Sequence, residues 1–224
     1  MIDSIETKRS IPTPWILGLY GLAGATFITA AHWAGWYGGP ESARLLLPFA
    51  AVLGGAVPLL AAMWAFEARD ALATAMLGAW GSFWVGYGIL NALFLTGKLS
   101  EPQGASPELS FWFIALAAIT WIGGAVATTE NAALTSTLVL LAAASTIRAI
   151  AEGLGVHGLA LLAGWLFLIA AVAAWYTATA MMFDQTLGRQ VLPIGHGQAT
   201  GRPLRTAAPA PTAVRQTPTS QRSG

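Results

Sequence analysis

The sequence predicts an all-α membrane protein with six transmembrane helices. Hydrophobic residues make up 55% of the 224 residues and charged residues only 9%, whereas soluble domains carry about a quarter charged residues. A membrane-spanning helix needs about 20 mostly apolar residues. Six segments reach this length, and breaks that are mostly rich in glycine, proline or charge separate them: residues 14–36, 44–66, 71–95, 110–128, 132–151 and 157–183.

The start of the chain does not look like a cleaved signal peptide. The apolar run after residues 1–13 exceeds the roughly 7–15 residues of a signal-peptide core, so we expect a retained first helix behind a short cytoplasmic N-terminal segment. In the second segment, Pro48 and Pro58 flank a pair of glycines. Each proline removes a backbone donor and bends a helix, which predicts a kink in this segment.

The third segment contains LGAWGSFWVGYGIL, residues 77–90, in which bulky aromatic and very small residues alternate. Residues three and four apart share a helix face, so two sets separate. Small residues, which allow close helix packing in lipid, form one ridge: Gly78, Ser82 and Gly86. Aromatic residues form a stripe on another face: Trp80, Trp84 and Tyr87. Tryptophan and tyrosine prefer the membrane interfaces, and Trp80 lies well inside the span, which favours a stripe that faces a pore over one that faces lipid.

A short internal echo links the first and third segments. The sequences LGLYG (17–21) and LGAWG (77–81) share the pattern Leu-Gly-x-aromatic-Gly. Tyr20 and Trp80 occupy the same position in this pattern. If the echo reflects an internal repeat, the two aromatic side chains meet at one constriction, as the repeats of transporters arrange their sites.

Charged residues inside the segments are scarce, and two of them lie four residues apart. Arg148 and Glu152 share a helix face near the end of the fifth segment, and charges within a membrane usually pair with one another. We therefore expect a structural ion pair or a pair at the mouth of a pore. His32, near the end of the first segment, is expected to make a hydrogen bond at the interface.

Six spans place both termini on the same side of the membrane. The 96–108 loop has one lysine against two glutamates. The side of the membrane that holds the termini carries more basic residues: Lys8, Arg9, Arg69 and Arg189. By the positive-inside rule, the side with the termini is therefore cytoplasmic. Residues 196–224 contain almost no large apolar side chain and cannot bury enough surface to fold. They are expected to form a disordered cytoplasmic tail.

Several classes of chemistry find no support in the sequence. The chain has no cysteine, and its three histidines are too scattered to suggest a metal site. Neither a metalloprotease motif nor an inward-facing catalytic set is present, so we expect no enzyme, catalytic residue, metal or cofactor. The net charge of +1 gives no basic face for nucleic acid. The kind of function that the residues still support is passage of a solute through a narrow, largely neutral pore.

Three stretches resemble motifs of the acetate uptake transporter family, whose bacterial members are succinate–acetate permeases: IPTPWILGLYG (11–21), AWGSFW (79–84) and DQTLGRQVLPIG (184–195). The last is the most specific, since Gly-Arg, two residues and Leu-Pro-Ile-Gly after a final span has no generic membrane explanation. The motif residues that this sequence shares with the family are Pro12, Pro14, Gly21, Gly81, Phe83, Trp84, Gly188, Arg189 and Pro193.

The resemblance implies a homohexamer in which six helices of each protomer surround a pore. It also implies that this homohexamer lies in the lipid of the plasma or inner membrane, with both termini of each protomer in the cytoplasm. It implies passage of acetate and other short carboxylates, through a channel or a proton-coupled carrier. The family's constriction is carried over to Tyr20, Trp80 and Leu141, with Leu140 nearly equivalent because no motif anchors that helix. Trp80 replaces a family tyrosine, which favours small monocarboxylates over succinate.

Two other functions remain open from the residues alone. A charge-poor aromatic pore also suits small neutral solutes such as ammonia or urea. Alternatively, the chain is a membrane scaffold or sensor subunit that transports nothing and signals through its tail.

Overall fold

The computed structural model describes residues 13–39, 41–102 and 104–195. The first twelve residues, which include Pro12, and the tail at 196–224 lie outside this part of the chain. The expectations for these two segments therefore stay predictions.

The described chain is helical, and its helices follow the predicted segments. In chain order they are α1 (Pro14–Trp33), α2 (Ser42–Phe49), a π-helical segment (Ala50–Ala56), α3 (Val57–Glu67), α4 (Ala71–Leu95), α5 (Pro107–Ala127), α6 (Ala132–Leu154) and α7 (His157–Leu187). The second predicted segment thus contains α2, the π segment and α3 without a break. The predicted all-α fold is confirmed, and the helix ends shift by up to about one turn.

Local sequence signals set the helix ends. Pro14 opens α1, where its missing N–H costs nothing. The side chains of Asp70 and Asn131 cap α4 and α6, and each carboxyl or amide oxygen accepts a hydrogen bond of 2.8 Å from a backbone N–H three residues on. Gly155 and Gly188 end α6 and α7 in the left-handed region, with φ of 65° and 62°.

Five helical stretches of the described chain are long and apolar enough to cross a membrane: Pro14–Trp33, Arg44–Glu67, Pro107–Ala127, Ala132–Leu154 and His157–Leu187. The sixth predicted span, α4, is not among them. It has 25 residues, about 37 Å of helix, but its glycines, tryptophans and polar residues make it less apolar. Its length exceeds the roughly 30 Å of a bilayer core.

Five of the helices form a ring. Going round it, α1, α4, α5, α6 and α7 each pack against the next, and α7 closes on α1. Within the described chain, the backbone of α4 comes close to neither α6 nor α7, so the centre of the ring is filled by side chains. The stretch from α2 to α3 packs against α1 and α4 from outside.

The close helix packing uses different glycines from the predicted ridge of Gly78, Ser82 and Gly86. A Cβ added to Gly78 would meet no atom nearer than 3.9 Å, and Ser82 is exposed. Only Gly86, which lies against Trp112, packs closely. The glycines of α4 that lie closest to the second span are instead Gly81 and Gly88, where an added Cβ would meet atoms at 2.8 Å and 3.0 Å. The predicted ridge therefore does not pack against the second span, because α4 presents another face to that span.

Two motif glycines hold the π segment from opposite sides. A Cβ on Gly21 would lie 2.5 Å from the carbonyl oxygen of Leu53, and a Cβ on Gly81 would lie 3.1 Å from that of Gly55. Each glycine follows the aromatic residue of the Leu-Gly-x-aromatic-Gly echo. The echo thus has a structural reason: α1 and α4 each need a residue without a side chain where this backbone approaches.

Candidate functional site

The centre of the helix ring is filled by contacting aromatic side chains. Trp33 of α1 lies 5.5 Å, ring centre to ring centre, from Phe167 of α7 and 6.4 Å from Phe113 of α5. Phe167 in turn lies 6.3 Å from Trp80 of α4. Aromatic pairs at these separations favour edge-to-face or tilted packing. The cluster therefore bridges the ring between helices whose backbones do not touch.

Trp80, like Phe167, is almost fully enclosed, with 1% of its surface exposed. Its ring contacts Phe83 at 5.6 Å and Phe167 at 6.3 Å. Its indole Nε1 is buried, and no atom of the described residues accepts a hydrogen bond from it. The same holds for Nε1 of Trp84, whose ring packs against Gly54. The aromatic stripe thus faces the protein interior and brings two unused donors there.

Two hydroxyl groups of α1 share this property. Thr26 and Thr29 are each 1% exposed, and within the described chain neither Oγ1 has a hydrogen-bond partner. Other helical hydroxyls behave ordinarily: Thr120 and Ser145 donate to the carbonyl four residues back, at 2.6 Å and 2.8 Å. A buried polar group without a partner costs about 1–3 kcal/mol, so each of these four donors could gain a hydrogen bond from a polar solute that reached it.

Of the two leucines considered for the constriction, Leu141 lies in the core. It is 1% exposed, whereas Leu140 is only partly buried. Leu141 shares a helix face with Ser145, Arg148 and Glu152, because steps of four, three and four keep residues aligned on a helix. This face of α6 therefore carries Leu141 near the middle of the helix and the ionisable pair Arg148 and Glu152 near its C-terminal end.

The hydroxyl of Tyr20 contacts α7. This hydroxyl is 2.9 Å from Oγ1 of Thr179 and also contacts the sulfur of Met182, both on α7. The Tyr20 side chain lines a cavity of about 950 Å³ between α1, α3 and α7, together with the exposed Trp64. Among the described residues, its ring contacts no other aromatic ring. The structure therefore groups Trp80 and Leu141 with the interior and places Tyr20 on the α1–α7 seam, so the three-residue constriction stays a prediction.

A second cavity, of about 320 Å³, opens at the end of the ring remote from Pro14 and Leu187. We call it the vestibule. It is lined by the ends of α1, α4 and α6, the start of α5 and the 96–108 loop, and its polar lining residues are His32, Asn91, Glu101, Tyr87, Arg148 and Glu152. Trp33 and Phe113 also line it, so the aromatic cluster forms its floor. The two floor residues contact Phe167 and Phe83, and these two rings in turn contact Trp80.

Arg148 and Glu152 form the ion pair that their spacing predicts. Arg148 Nη2 lies 2.6 Å from Glu152 Oε1, and the two side chains are only 16% and 13% exposed. The guanidinium carbon lies 4.7 Å from the ring centre of Trp33 and 5.9 Å from that of Phe113. Cation–π contacts of this length are stabilising, more so where water is excluded. This places a positive charge on the aromatic floor of the vestibule.

His32 and Tyr37 close the vestibule end of α1. His32 Nδ1 lies 3.1 Å from the backbone oxygen of Tyr37, which confirms the expected hydrogen bond. The Tyr37 hydroxyl donates to the carbonyl of Ile28. Partial burial raises the pKa of Tyr37, because the neighbouring protein atoms remove some of the water that would solvate the charged phenolate. Tyr37 therefore keeps its proton and this hydrogen bond at neutral pH.

The C-terminal motif returns the chain to the start of α6. After Gly188, the carbonyls of Ile194 and Gly195 accept hydrogen bonds of 3.0 Å and 2.8 Å from the N–H groups of Ala133 and Ala132. The Tyr176 hydroxyl donates to the Pro193 carbonyl at 2.7 Å. Arg189 is exposed. The motif thus satisfies two of the free N–H groups at a helix start.

Sequence reasoning missed three members of the aromatic cluster: Trp33, Phe113 and Phe167. Each is one of several aromatic residues in its helix, so no spacing within the helix distinguishes it from exposed neighbours such as Phe111 or Trp165. Within the described residues, no three histidine or acidic side chains are placed to hold a metal ion.

The fold and the sequence both match known proteins. The GPR1/FUN34/yaaH family profile matches residues 4–194. The chain is 25% identical over 191 residues to the succinate-acetate/proton symporter SatP of Escherichia coli K12, over 85% of this chain and 97% of that protein, and SatP of Shigella flexneri matches equally. The structure of the bacterial acetate channel SatP superposes with a TM-score of 0.73 at 23% identity, over 83% of this chain and 99% of that chain. The resemblance found from the motifs is confirmed, and the chain belongs to the GPR1/FUN34/yaaH family.

Proposed function

We propose that this protein is a membrane channel or transporter, not an enzyme, that passes acetate and other short-chain carboxylates. The relatives named above are a succinate-acetate/proton symporter and an acetate channel, which supports this solute class. The resemblance also supports a homohexamer with both termini in the cytoplasm. Whether protons move with the solute is a question for transport measurements, since the two relatives' names differ on this point.

The buried indole N–H of Trp80 is the observation that carries the proposal. Moving a carboxylate into an apolar interior without hydrogen bonds is very costly. Hydrogen bonds to an ionised group are about twice as strong as neutral ones. A donor that has no partner within the described chain, in the middle of the aromatic cluster, offers such a bond to a passing carboxylate while the rings contact its methyl group.

The size of the interior favours the smallest substrates. Trp80 and Phe167 are each 1% exposed, so any solute must displace closely packed rings. Acetate has one carboxylate and one methyl group, and succinate has a second charge that also needs donors. We therefore propose a preference for acetate and similar monocarboxylates over succinate, in line with the tryptophan that replaces the family's tyrosine.

The test is uptake of labelled acetate into proteoliposomes that contain the purified protein, with Trp80→Phe as the main variant. This change keeps an aromatic ring and removes only the N–H and some bulk. Trp121→Phe is the matched control, because Trp121 is 45% exposed on α5 and its N–H binds Thr146 instead. Unlabelled propionate, succinate and urea serve as competitors, and a pH gradient tests for proton coupling.

We expect saturable acetate uptake by the wild type, with stronger competition by propionate than by succinate. Trp80→Phe should take up acetate at least about tenfold more slowly, because this factor corresponds to the free energy of one charge-assisted hydrogen bond. The control variant should behave as the wild type. No uptake above empty liposomes with folded wild-type protein would reject the proposal. Competition by urea rather than by carboxylates would favour a pore for neutral solutes.

A further inference from the structure

We infer that Arg148 forms a binding site for the carboxylate group of the transported anion in the vestibule, and that Glu152 occupies this site in its absence. The inference rests on the proposed function, because it assigns a first binding step to the same pathway. Its structural basis is a single guanidinium that lies between an open cavity and a closed aromatic core.

The position of Arg148 is the first argument. It is the only lysine or arginine among the described residues that line the vestibule. Its side chain lies on the face of α6 that also carries Leu141, one of the core leucines below the vestibule. An anion that moves from the vestibule toward Trp80 therefore passes this positive charge before it reaches Trp80.

The contacts of the guanidinium are the second argument. Trp33 and Phe113 lie against it at 4.7 Å and 5.9 Å, which fixes its plane and limits access by water. One of its terminal nitrogens binds Glu152, while its Nε is buried and has no partner in the described part of the chain. A guanidinium presents five donors in a fork that matches a carboxylate, so Glu152 leaves much of this capacity unused.

The identity of the present occupant is the third argument. Glu152 is itself a carboxylate on a flexible side chain, held by one recorded contact of 2.6 Å. A substrate carboxylate can make the same contact and add a second one in bidentate geometry. The exchange replaces one carboxylate by another on the same guanidinium, so the buried positive charge keeps a partner throughout, which avoids the large cost of an unpaired buried charge.

The competition between the two carboxylates predicts opposite effects of removing each partner. In Glu152→Gln the competitor loses its charge while its shape is nearly kept, so acetate should half-saturate uptake at a lower concentration. In Arg148→Gln the anion loses its partner, and half-saturation should rise by about tenfold or more, the value of a hydrogen bond to a charged group. A purely structural ion pair predicts losses in both variants.

A charge exchange separates binding from folding. The double variant Arg148→Glu with Glu152→Arg keeps an ion pair four residues apart on the same face, but it moves the guanidinium about 6 Å along α6, away from the aromatic floor. If the pair serves only to hold the helices, this variant restores wild-type uptake. If Arg148 binds the substrate, the variant folds but keeps a raised half-saturation constant.

The experiment measures acetate uptake kinetics for the wild type and these variants in proteoliposomes, with size-exclusion profiles in detergent as the test of folding. Arg148→Lys, which keeps the charge without the fork, provides an intermediate case if Arg148→Gln does not fold. Binding is measured independently from the rise in unfolding temperature with acetate, compared with acetamide, its neutral analogue of similar shape, at equal ionic strength.

The inference holds if acetate, and not acetamide, stabilises the wild type and this effect is lost in the Arg148 variants. It also requires that the acetate concentration that half-saturates uptake changes in opposite directions in Arg148→Gln and Glu152→Gln. Folded Arg148 variants with wild-type half-saturation, or full rescue by the charge exchange, would overturn it. If the inference fails but the wild type still shows saturable acetate uptake, the proposed function stands. If the wild type shows no uptake, both the proposed function and the inference about Arg148 are rejected.

Discussion

Gly78 and Gly81 lie three residues apart on α4, yet the structure predicts opposite results for adding one methyl group. A Cβ on Gly81 would lie 2.8 Å from Leu59 Cγ and 3.0 Å from the Leu59 nitrogen, whereas a Cβ on Gly78 would meet its nearest atom at 3.9 Å. Overpacking of this kind typically costs about 1–3 kcal/mol. Alanine is a better helix former than glycine by up to about 1 kcal/mol.

We therefore expect Gly81→Ala to lower the unfolding temperature in detergent and Gly78→Ala to leave it unchanged or raise it slightly. Size-exclusion chromatography after heating measures both. Equal losses in the two variants would contradict the close approach of α3 and the π segment to α4, since of these two glycines only Gly81 faces that backbone.

The residues of the site differ in how far the sequence reveals them. Trp80 belongs to a dense local pattern with a helical period, and Arg148 is conspicuous as a charge inside an apolar segment, so both could be identified beforehand. Trp33 and Phe167 could not, since their role depends on which helices are neighbours in the ring. Tyr20 shows the limit of a sequence echo: the glycine beside it has the same packing role as its counterpart on α4, while the aromatic ring points to another contact.

At the level of elements, the second span shows what proline patterns can and cannot predict. Pro48 and Pro58 indicated an irregular helix, and the structure has a π segment between them. There the Val57 N–H bonds to the carbonyl of Val52, five residues back. Pro58 has no N–H for the carbonyl of Leu53, and that oxygen lies against Gly21. The sequence predicts the lost donor but not the register change, because that depends on the helices packed around it.

The C-terminal motif acts as a cap for another helix, and this gives a prediction at the same scale. A chain that ends after Leu192 loses the acceptors for the N–H groups of Ala132 and Ala133 and for the Tyr176 hydroxyl. Each hydrogen bond is worth about 0.5–1.5 kcal/mol, so we expect a loss of about 2–4 kcal/mol. Thermal unfolding of the purified protein measures it.

A chain that ends after Gly195 is the control for this truncation. It keeps every described contact of the motif, so its unfolding temperature should match that of the full chain. If both truncated proteins were equally destabilised, the effect would come from the residues after 195 and not from the cap.

At the scale of the whole molecule, the open question is the number of membrane crossings, and the packing of α4 bears on it. Gly18 of α1 lies against Leu77 of α4, and Ala25 and Trp84, each seven residues further on, both lie against Gly54. The two helices therefore run parallel at the same depth. Since α1 qualifies as a span by length and composition, α4 crosses the same layer, although its own composition is less apolar.

Six crossings place both ends of the chain on one side, whereas five would separate them. The chain has no cysteine, so single cysteines can be placed without any other change. Ser100 in the 96–108 loop and Gln190 after α7 are both exposed and lie at opposite ends of the ring. With basic residues favouring the cytoplasm for the termini, Ser100→Cys should react with a membrane-impermeant maleimide in intact cells, and Gln190→Cys should react only after permeabilisation. A cysteine in place of Ser4, close to the N-terminus, then decides the parity. If Ser4→Cys reacts under the same conditions as Gln190→Cys, the number of crossings is even. Reaction of Ser4→Cys in intact cells would mean that α4, or another helix, does not cross.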